Sequence, residues 1–302
     1  MKKIIGILLI TLLLFTGCEI TKEKEGLNIV TTNFPTYDLA RGVIKDSDIE
    51  LSMLFKPGVD AHSFEPTTKD IKTIKDADIF IYVGGESEEW IEDILDNIDK
   101  DKTKIIKLMD IVDIKKEEII EGMESKEEEE YDEHVWTSPL NAIKIVNKIK
   151  DEVLKIDNKE IYTKNADEYI EKLTTIDNEI REVVNSAKRK TLIFGDRFPL
   201  RYFVDEYGLE YYAAFPGCSE QNEASASTIS FLIKKVKEDK VPAVLKIELS
   251  SGKIANTIAS ETGVKVLTFN ACHNQSKEDF EKGKTYIDYM NENIKVLKEV
   301  LN

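Results

Sequence analysis

The chain has 302 residues, of which 41% are hydrophobic and 33% are charged, and its formal net charge at pH 7 is −16. This length and hydrophobic content are sufficient for two modest domains, each with its own core. The strong negative charge would repel a phosphate backbone, so nucleic acid is not an expected partner.

The first 18 residues, MKKIIGILLITLLLFTGC, have the composition of a secretion signal. Two lysines precede an apolar run from Ile4 to Phe15, which is too short for a membrane-spanning helix. The closing FTGC resembles the lipobox of bacterial lipoproteins, in which the cysteine is lipidated. We therefore expect residues 1–18 to be a lipoprotein signal peptide, with Cys18 anchoring the chain to the outer face of the cell membrane. The alternative is an uncleaved membrane anchor.

After a charged tether at residues 19–26, β-rich runs alternate with amphipathic stretches at helical spacing. This alternation is a βαβ series, and it predicts a parallel sheet. We predict an N-terminal α/β lobe over residues 27–157. Its predicted strands are residues 27–33, 49–55, 78–84 and 103–109.

From Tyr162 to Ala187 the apolar residues recur at alternating steps of four and three. This spacing predicts one helix of about 30 residues, roughly 45 Å long. We therefore predict a rigid connecting helix over residues 158–188 and limited closure between the lobes.

The second half repeats the βαβ pattern and predicts a C-terminal α/β lobe over residues 189–302. Its predicted strands are residues 189–195, 210–215, 243–249 and 264–269. The predicted fold class is thus α/β, with two lobes that each hold a four-stranded, mainly parallel sheet flanked by helices, joined by one long rigid helix.

The segment at residues 115–133 contains ten acidic residues from Glu117 onward and a single internal lysine, Lys126. Like charges at this density disfavour packing, so we predict a mobile loop. It either gathers cations weakly or is a solvated tether.

The chain has only three histidines, and each lies in a loop of the predicted α/β pattern. His62 lies in PGVDAHSFEPT after a strand, and His273 follows the last strand in NACHNQS. His134 lies in DEHVWTSP, before a helix that begins with Ser138 as cap and Pro139 as first residue. Ligands of open α/β sheets bind beyond the carboxyl ends of the strands, so these imidazoles can converge on one metal ion between the lobes.

Asp196 follows the first predicted strand of the second lobe, in a fourth loop at the same edge. It is a candidate metal ligand. The alternatives are a helix cap and a salt bridge to Arg197 or Arg201.

With Cys18 assigned to lipid, Cys218 and Cys272 remain. An even pair in an oxidising compartment favours a disulfide. Two alternatives stay open: one cysteine is a thiolate metal ligand, or both are buried reduced side chains.

Taken together, the lipobox, PGVDAHSFEP, DEHVWTSP, FGDRFPLRYFVDEYGL and KIELSSGKIANTIASETGVKVL resemble the metal-binding lipoproteins of ABC importers for zinc or manganese. The resemblance extends over nearly the whole mature chain. It implies two α/β lobes joined by a rigid helix, with a divalent cation held in the cleft and passed to a membrane permease.

The same resemblance implies a ligand set. His62 and His134 match the two family histidines, and Asp196 is the nearest match to the third ligand. The family's closing aspartate falls near Asn270, and we expect His273 to take its place. Glu248 matches a family glutamate near the cleft and is expected to support a ligand, unless it is an ordinary strand-end carboxylate.

The stretches AAFPGCSEQNEAS and ACHNQS suggest a subgroup in which Cys218 bridges to Cys272. Such a disulfide would pin the loop of His273 against the cleft.

Imidazoles with a carboxylate favour Zn²⁺, with Mn²⁺ as second choice. The expected protein is a monomeric, extracytoplasmic solute-binding lipoprotein that contacts an ABC permease and, through Cys18, the lipid bilayer. It is not expected to be an enzyme, because HExxH, GxSxG and phosphate-loop motifs are absent from the sequence. The alternatives are a manganese-binding homologue, a zinc-dependent hydrolase and an adhesin lipoprotein on the same fold.

Overall fold

A computed structural model describes residues 26–59, 64–123, 130–219 and 223–302 of the chain. The expected signal peptide, Cys18, most of the tether and His62 lie outside the described residues. So does the central part of the acidic segment.

The first half of the chain forms a four-stranded sheet in which all neighbouring strands are parallel. The strand order is β2-β1-β3-β4. In chain order the elements are β1 (Asn28–Thr31), α1 (Phe34–Ile44), β2 (Glu50–Met53), α2 (Thr68–Lys75), β3 (Ile79–Tyr82), α3 (Trp90–Leu95), β4 (Lys104–Lys107), α4 (Pro139–Ile156) and α5 (Glu160–Asn185).

The second half forms another parallel four-stranded sheet, with the order β6-β5-β7-β8. Its elements are β5 (Thr191–Phe198), α6 (Arg201–Tyr207), β6 (Glu210–Pro216), α7 (Ala226–Asp239), β7 (Ala243–Lys246), α8 (Lys253–Thr262), β8 (Lys265–Thr268), α9 (Lys277–Glu281) and α10 (Tyr286–Leu301). The two sheets confirm the predicted α/β class and the predicted parallel strands. In each sheet the carboxyl ends of all four strands lie at one edge.

Helix α5 follows the first sheet and precedes the second, and its 26 residues make it about 39 Å long. Its apolar face is buried and includes Tyr169, Leu173 and Ile180. These side chains belong to the largest core cluster, which also contains residues of both sheets and of α10. Because one core continues from sheet to sheet, the two lobes are packed together along α5. Among the described residues, no helix combines the length and the apolar character needed to cross a membrane.

A buried carboxylate joins three helices at this interface. Asp38 of α1 accepts hydrogen bonds from the Tyr169 hydroxyl of α5 and the Tyr286 N–H of α10, each at 2.8 Å. Arg41 pairs with the same carboxylate. Burial raises the pKa of Asp38, although Arg41 and these hydrogen bonds act against the rise. A buried carboxylate held in this way fixes the relative position of the three helices.

The described ends of the acidic segment are paired rather than free. The Glu117 N–H donates to the Glu130 carbonyl at 2.8 Å, and the Asp132 N–H donates to the Lys115 carbonyl at 2.9 Å. The segment also contacts the second lobe, because the Tyr202 hydroxyl accepts from the Lys115 N–H at 3.1 Å. The two described ends of the acidic segment are therefore held in place beside the region that contains His134.

Candidate metal centre

His134 is fully buried at the start of α4. It precedes a single turn of 3₁₀ helix, Val135–Thr137, and the Ser138 hydroxyl then caps α4 by accepting the Asn141 N–H. Pro139 occupies the first helical position, as predicted from the sequence. This cap and the buried Trp136 give the His134 ring a defined position.

Asp132 orients the His134 ring. Its Oδ1 lies 2.9 Å from Nδ1 of His134 and accepts the backbone N–H of the same residue at 2.8 Å. Because a carboxylate only accepts, Nδ1 carries the proton and Nε2 is the nitrogen suited to a metal. Burial alone would lower the pKa of His134, but the charges of Asp132 and Glu133 outweigh it and raise that pKa.

The second imidazole comes from the loop after β8. The Glu248 carboxylate accepts the N–H groups of Ala271 at 2.7 Å and His273 at 2.8 Å. Between them, Cys272 has a left-handed backbone with φ of 61°. Burial raises the pKa of Glu248, and these backbone hydrogen bonds act against the rise. Glu248 therefore holds the turn that carries His273.

The two rings meet between the lobes. The centroids of His134 and His273 are 4.3 Å apart, with the ring planes 77° from each other. Trp136 packs edge-on against both rings, and its indole N–H donates to the Ala271 carbonyl at 2.8 Å. The structure thus brings together two of the three predicted histidines. The third, His62, lies outside the described residues.

Within the described part of the chain, one group of side chains has the composition and spacing of a metal site. It consists of Glu133, His134 and Cys218, whose potential ligand atoms all lie within 4.8 Å of one another. Glu133 is buried, and both its carboxylate oxygens contact Ser87: the hydroxyl donates at 2.6 Å and the N–H at 3.2 Å. Burial raises the pKa of Glu133, while the charge of His134 acts against the rise.

Asp196 occupies a different position from the predicted one. It lies inside β5, where the register with β6 shifts between Phe194 and Arg197. Its Oδ1 accepts the Arg197 N–H at 2.9 Å and its Oδ2 accepts the Ile247 N–H at 3.3 Å. The strand is longer than predicted because this bulge lets pairing resume beyond Asp196. Both carboxylate oxygens therefore bind backbone groups of the bulge and of the segment after β7.

The predicted disulfide is not formed, because Cys218 and Cys272 are both free. Cys272 is buried in the main core, with Sγ 3.9 Å from the Asn270 carbonyl oxygen. Cys218 instead belongs to the group with Glu133 and His134. The even number of cysteines predicted a disulfide wrongly, because Cys218 and Cys272 lie in different parts of the structure. Burial raises the pKa of both thiols well above the usual value.

The sequence contains a signal that indicates the position of Cys218. Cys218 follows β6 by two residues, so it stands beyond the carboxyl end of a strand, as the predicted ligands do. Because ligands of open α/β sheets bind beyond the carboxyl ends of the strands, this position predicts a thiol at the edge of the cleft.

Comparison with known proteins identifies the family of the chain. The family model described as "ZnuA: Zinc-uptake complex component A periplasmic" matches residues 29–300. The zinc-binding lipoprotein AdcA of Streptococcus pneumoniae strain R6 is 36% identical over 309 residues, which cover 99% of this chain and 61% of that protein. The chain thus spans about three fifths of the length of this relative.

The high-affinity zinc uptake system protein ZnuA of Bacillus subtilis is 33% identical over 291 residues, covering 92% of this chain and 89% of the relative. Among solved structures, the Zn(II)-bound ZnuA-like domain of Streptococcus pneumoniae AdcA has a TM-score of 0.75 at 35% identity. It covers 91% of this chain and 99% of that domain. With a family model matched over nearly its whole length, the chain belongs to the ZnuA family of zinc-uptake complex components.

Proposed function

We propose that this protein is the extracytoplasmic solute-binding component of an ABC importer, which captures Zn²⁺ between its two lobes and delivers it to a membrane permease. The observation that carries the proposal is the contact between the buried His134 ring and the His273 ring, at 4.3 Å between centroids. The two residues come from different lobes. Rings in this arrangement offer two nitrogen donors to one small cation.

The predicted ligand set is His62, His134, His273 and Asp196. The proposal is supported for His134 and His273 by their contact, and by the carboxylates that hold each of them. Asp196 stays a predicted ligand whose two oxygens already accept backbone N–H groups. Glu248 is proposed to support His273 without contacting the metal.

Zinc is preferred over manganese because imidazole nitrogens suit Zn²⁺, whereas manganese favours oxygen-rich sites. The zinc-binding names of the relatives agree with this choice. The protein is proposed to act by binding and release, without a catalytic step. A monomer attached through a lipidated Cys18 would place the site next to its permease.

Calorimetric titration with zinc tests the proposal. We expect one zinc per chain in the wild type and a loss of affinity of at least about 100-fold, or ~2.7 kcal/mol, in His134→Ala and His273→Ala. Glu168→Gln, on the exposed face of α5, is the matched control and should bind as the wild type does. Circular dichroism would verify that each variant is folded. Unchanged affinity in both histidine variants would refute the proposed site.

A further inference from the structure

The composition of the site goes beyond histidines and carboxylates. The Cys218 thiol is within 4.8 Å of the potential ligand atoms of His134 and Glu133. Donor atoms bound to one tetrahedral zinc lie roughly 3 to 4 Å apart, given bonds of about 2.0 to 2.3 Å. A thiol and an imidazole at this separation reach one ion after only a small adjustment.

We infer that Cys218 is a ligand of the transported cation and binds it as a thiolate, together with His134. This inference rests on the proposed zinc-binding function and specifies its chemistry. On binding, the thiol proton leaves to solvent and the sulfur lone pair forms the bond to the metal, so no oxidant or reductant takes part.

The backbone around Cys218 brings the thiol to the His134 ring. Strand β6 ends at Pro216, and a Cβ on the next residue, Gly217, would lie 3.0 Å from Cε1 of His134 and 3.0 Å from Cα of Pro199. A glycine at this position therefore permits the close approach. The Cys218 N–H donates to Oε1 of Glu117 at 2.8 Å, which fixes the turn from the other side.

The other candidates for an additional ligand are engaged elsewhere. The oxygens of Asp196 accept backbone N–H groups, and those of Glu133 accept from Ser87. Cys272 points into the core rather than into this group. Cys218, by contrast, belongs to the same group as His134.

The carboxylates around the thiol favour a bound cation over a bare thiolate. Burial raises the pKa of the Cys218 thiol, and the negative charges of Glu133, Asp132 and Glu117 raise it further. A divalent cation reverses the local charge balance and stabilises the thiolate.

A thiolate ligand has a consequence for selectivity. Soft sulfur donors favour zinc, whereas manganese prefers oxygen donors. With Cys218 in the site, the protein should discriminate against manganese more strongly than a site of imidazoles and carboxylates alone.

X-ray absorption spectroscopy of the whole chain, purified in detergent and loaded with one equivalent of zinc, tests the inference. We expect one Zn–S distance of about 2.3 Å in the wild type. The matched variants are Cys218→Ser and Cys272→Ala. The sulfur signal should vanish only in Cys218→Ser, whose zinc affinity should fall by at least about tenfold.

Cobalt provides a second readout. The Co²⁺-loaded wild type and Cys272→Ala should show a sulfur-to-metal charge-transfer absorption in the near ultraviolet, and Cys218→Ser should lack it. Stoichiometric zinc with nitrogen and oxygen neighbours only would overturn the role of Cys218 and leave the zinc-binding function standing. A sulfur signal lost in Cys272→Ala would overturn it by assigning the ligand to Cys272. Absence of zinc binding in the wild type would overturn both.

Discussion

At the scale of single residues, the proposed metal site depends on side chains that orient its proposed ligands. Asp132 is 1% exposed and holds both the ring and the backbone of His134, while its own carbonyl accepts the Tyr202 hydroxyl at 2.7 Å. The ring therefore belongs to a chain of hydrogen bonds that extends into α6. A carboxylate behind a ligating histidine fixes the tautomer and increases the basicity of the metal-binding nitrogen.

Replacement of Asp132 by asparagine should weaken zinc binding by about 10- to 100-fold. The amide lacks the negative charge behind the His134 ring, and it can turn an N–H instead of an oxygen toward Nδ1. Competition against a zinc-chelating dye measures the affinity. Asp151→Asn is a suitable control, since that carboxylate is 61% exposed on α4. Equal affinity in Asp132→Asn and the wild type would contradict a role for this pair.

At the scale of secondary-structure elements, α4 is joined to the first sheet by a buried acid. Glu152 is 1% exposed and is contacted by Lys148 at 2.7 Å, Lys155 at 3.0 Å and Lys104 of β4 at 3.5 Å. Burial alone would raise the pKa of Glu152, but the hydrogen bonds from Lys148 and Lys155 outweigh it and lower that pKa to about 2. The lysines are partly exposed, so solvent screens part of this attraction.

Glu152→Gln should reduce the free energy of unfolding at pH 7 by about 1 to 3 kcal/mol. A carboxyl whose pKa is depressed on folding stabilises the protein above its unfolded value of 4.5, and that stabilisation is lost as the pH falls toward 2. The difference between the variant and the wild type should therefore shrink between pH 5 and pH 3, as urea unfolding would measure. A difference that grows on acidification would exclude this account.

The elements were predictable where their determinants are local. The alternation of apolar runs with amphipathic stretches correctly predicted the two parallel sheets. Ser138 followed by Pro139 correctly predicted the start of α4. The bulge at Asp196 was not predictable, because it depends on the register between β5 and β6. The positions of the two cysteines depend likewise on long-range packing, so counting cysteines predicted a bond that does not form.

At the scale of the whole molecule, the lobes are connected by more than α5. The Tyr286 hydroxyl donates to the Trp136 carbonyl at 2.7 Å, and the Asn274 side-chain amide donates to the carbonyls of Lys56 at 2.9 Å and Val59 at 2.6 Å. These bonds cross between the lobes close to the proposed metal site. A large hinge motion would have to break them, together with the contacts of Asp38.

Zinc binding should consequently change the overall dimensions very little. We expect the radius of gyration measured by small-angle X-ray scattering to differ by less than ~1 Å between the metal-free and zinc-loaded protein. Zinc at 1,000 times its dissociation constant should still stabilise the fold by about 4 kcal/mol, because the ion binds only the folded state. A decrease of several ångströms in the radius of gyration on zinc loading would indicate that the lobes close, and it would contradict this expectation.

The contact between Trp136 and Ala271 has a consequence for the working cycle of a carrier. The indole N–H bond and the edge-on packing of Trp136 hold two imidazole rings from distant parts of the chain against each other through contacts of the protein itself. A cation that binds between these rings would therefore lose little affinity to the cost of ordering its ligands.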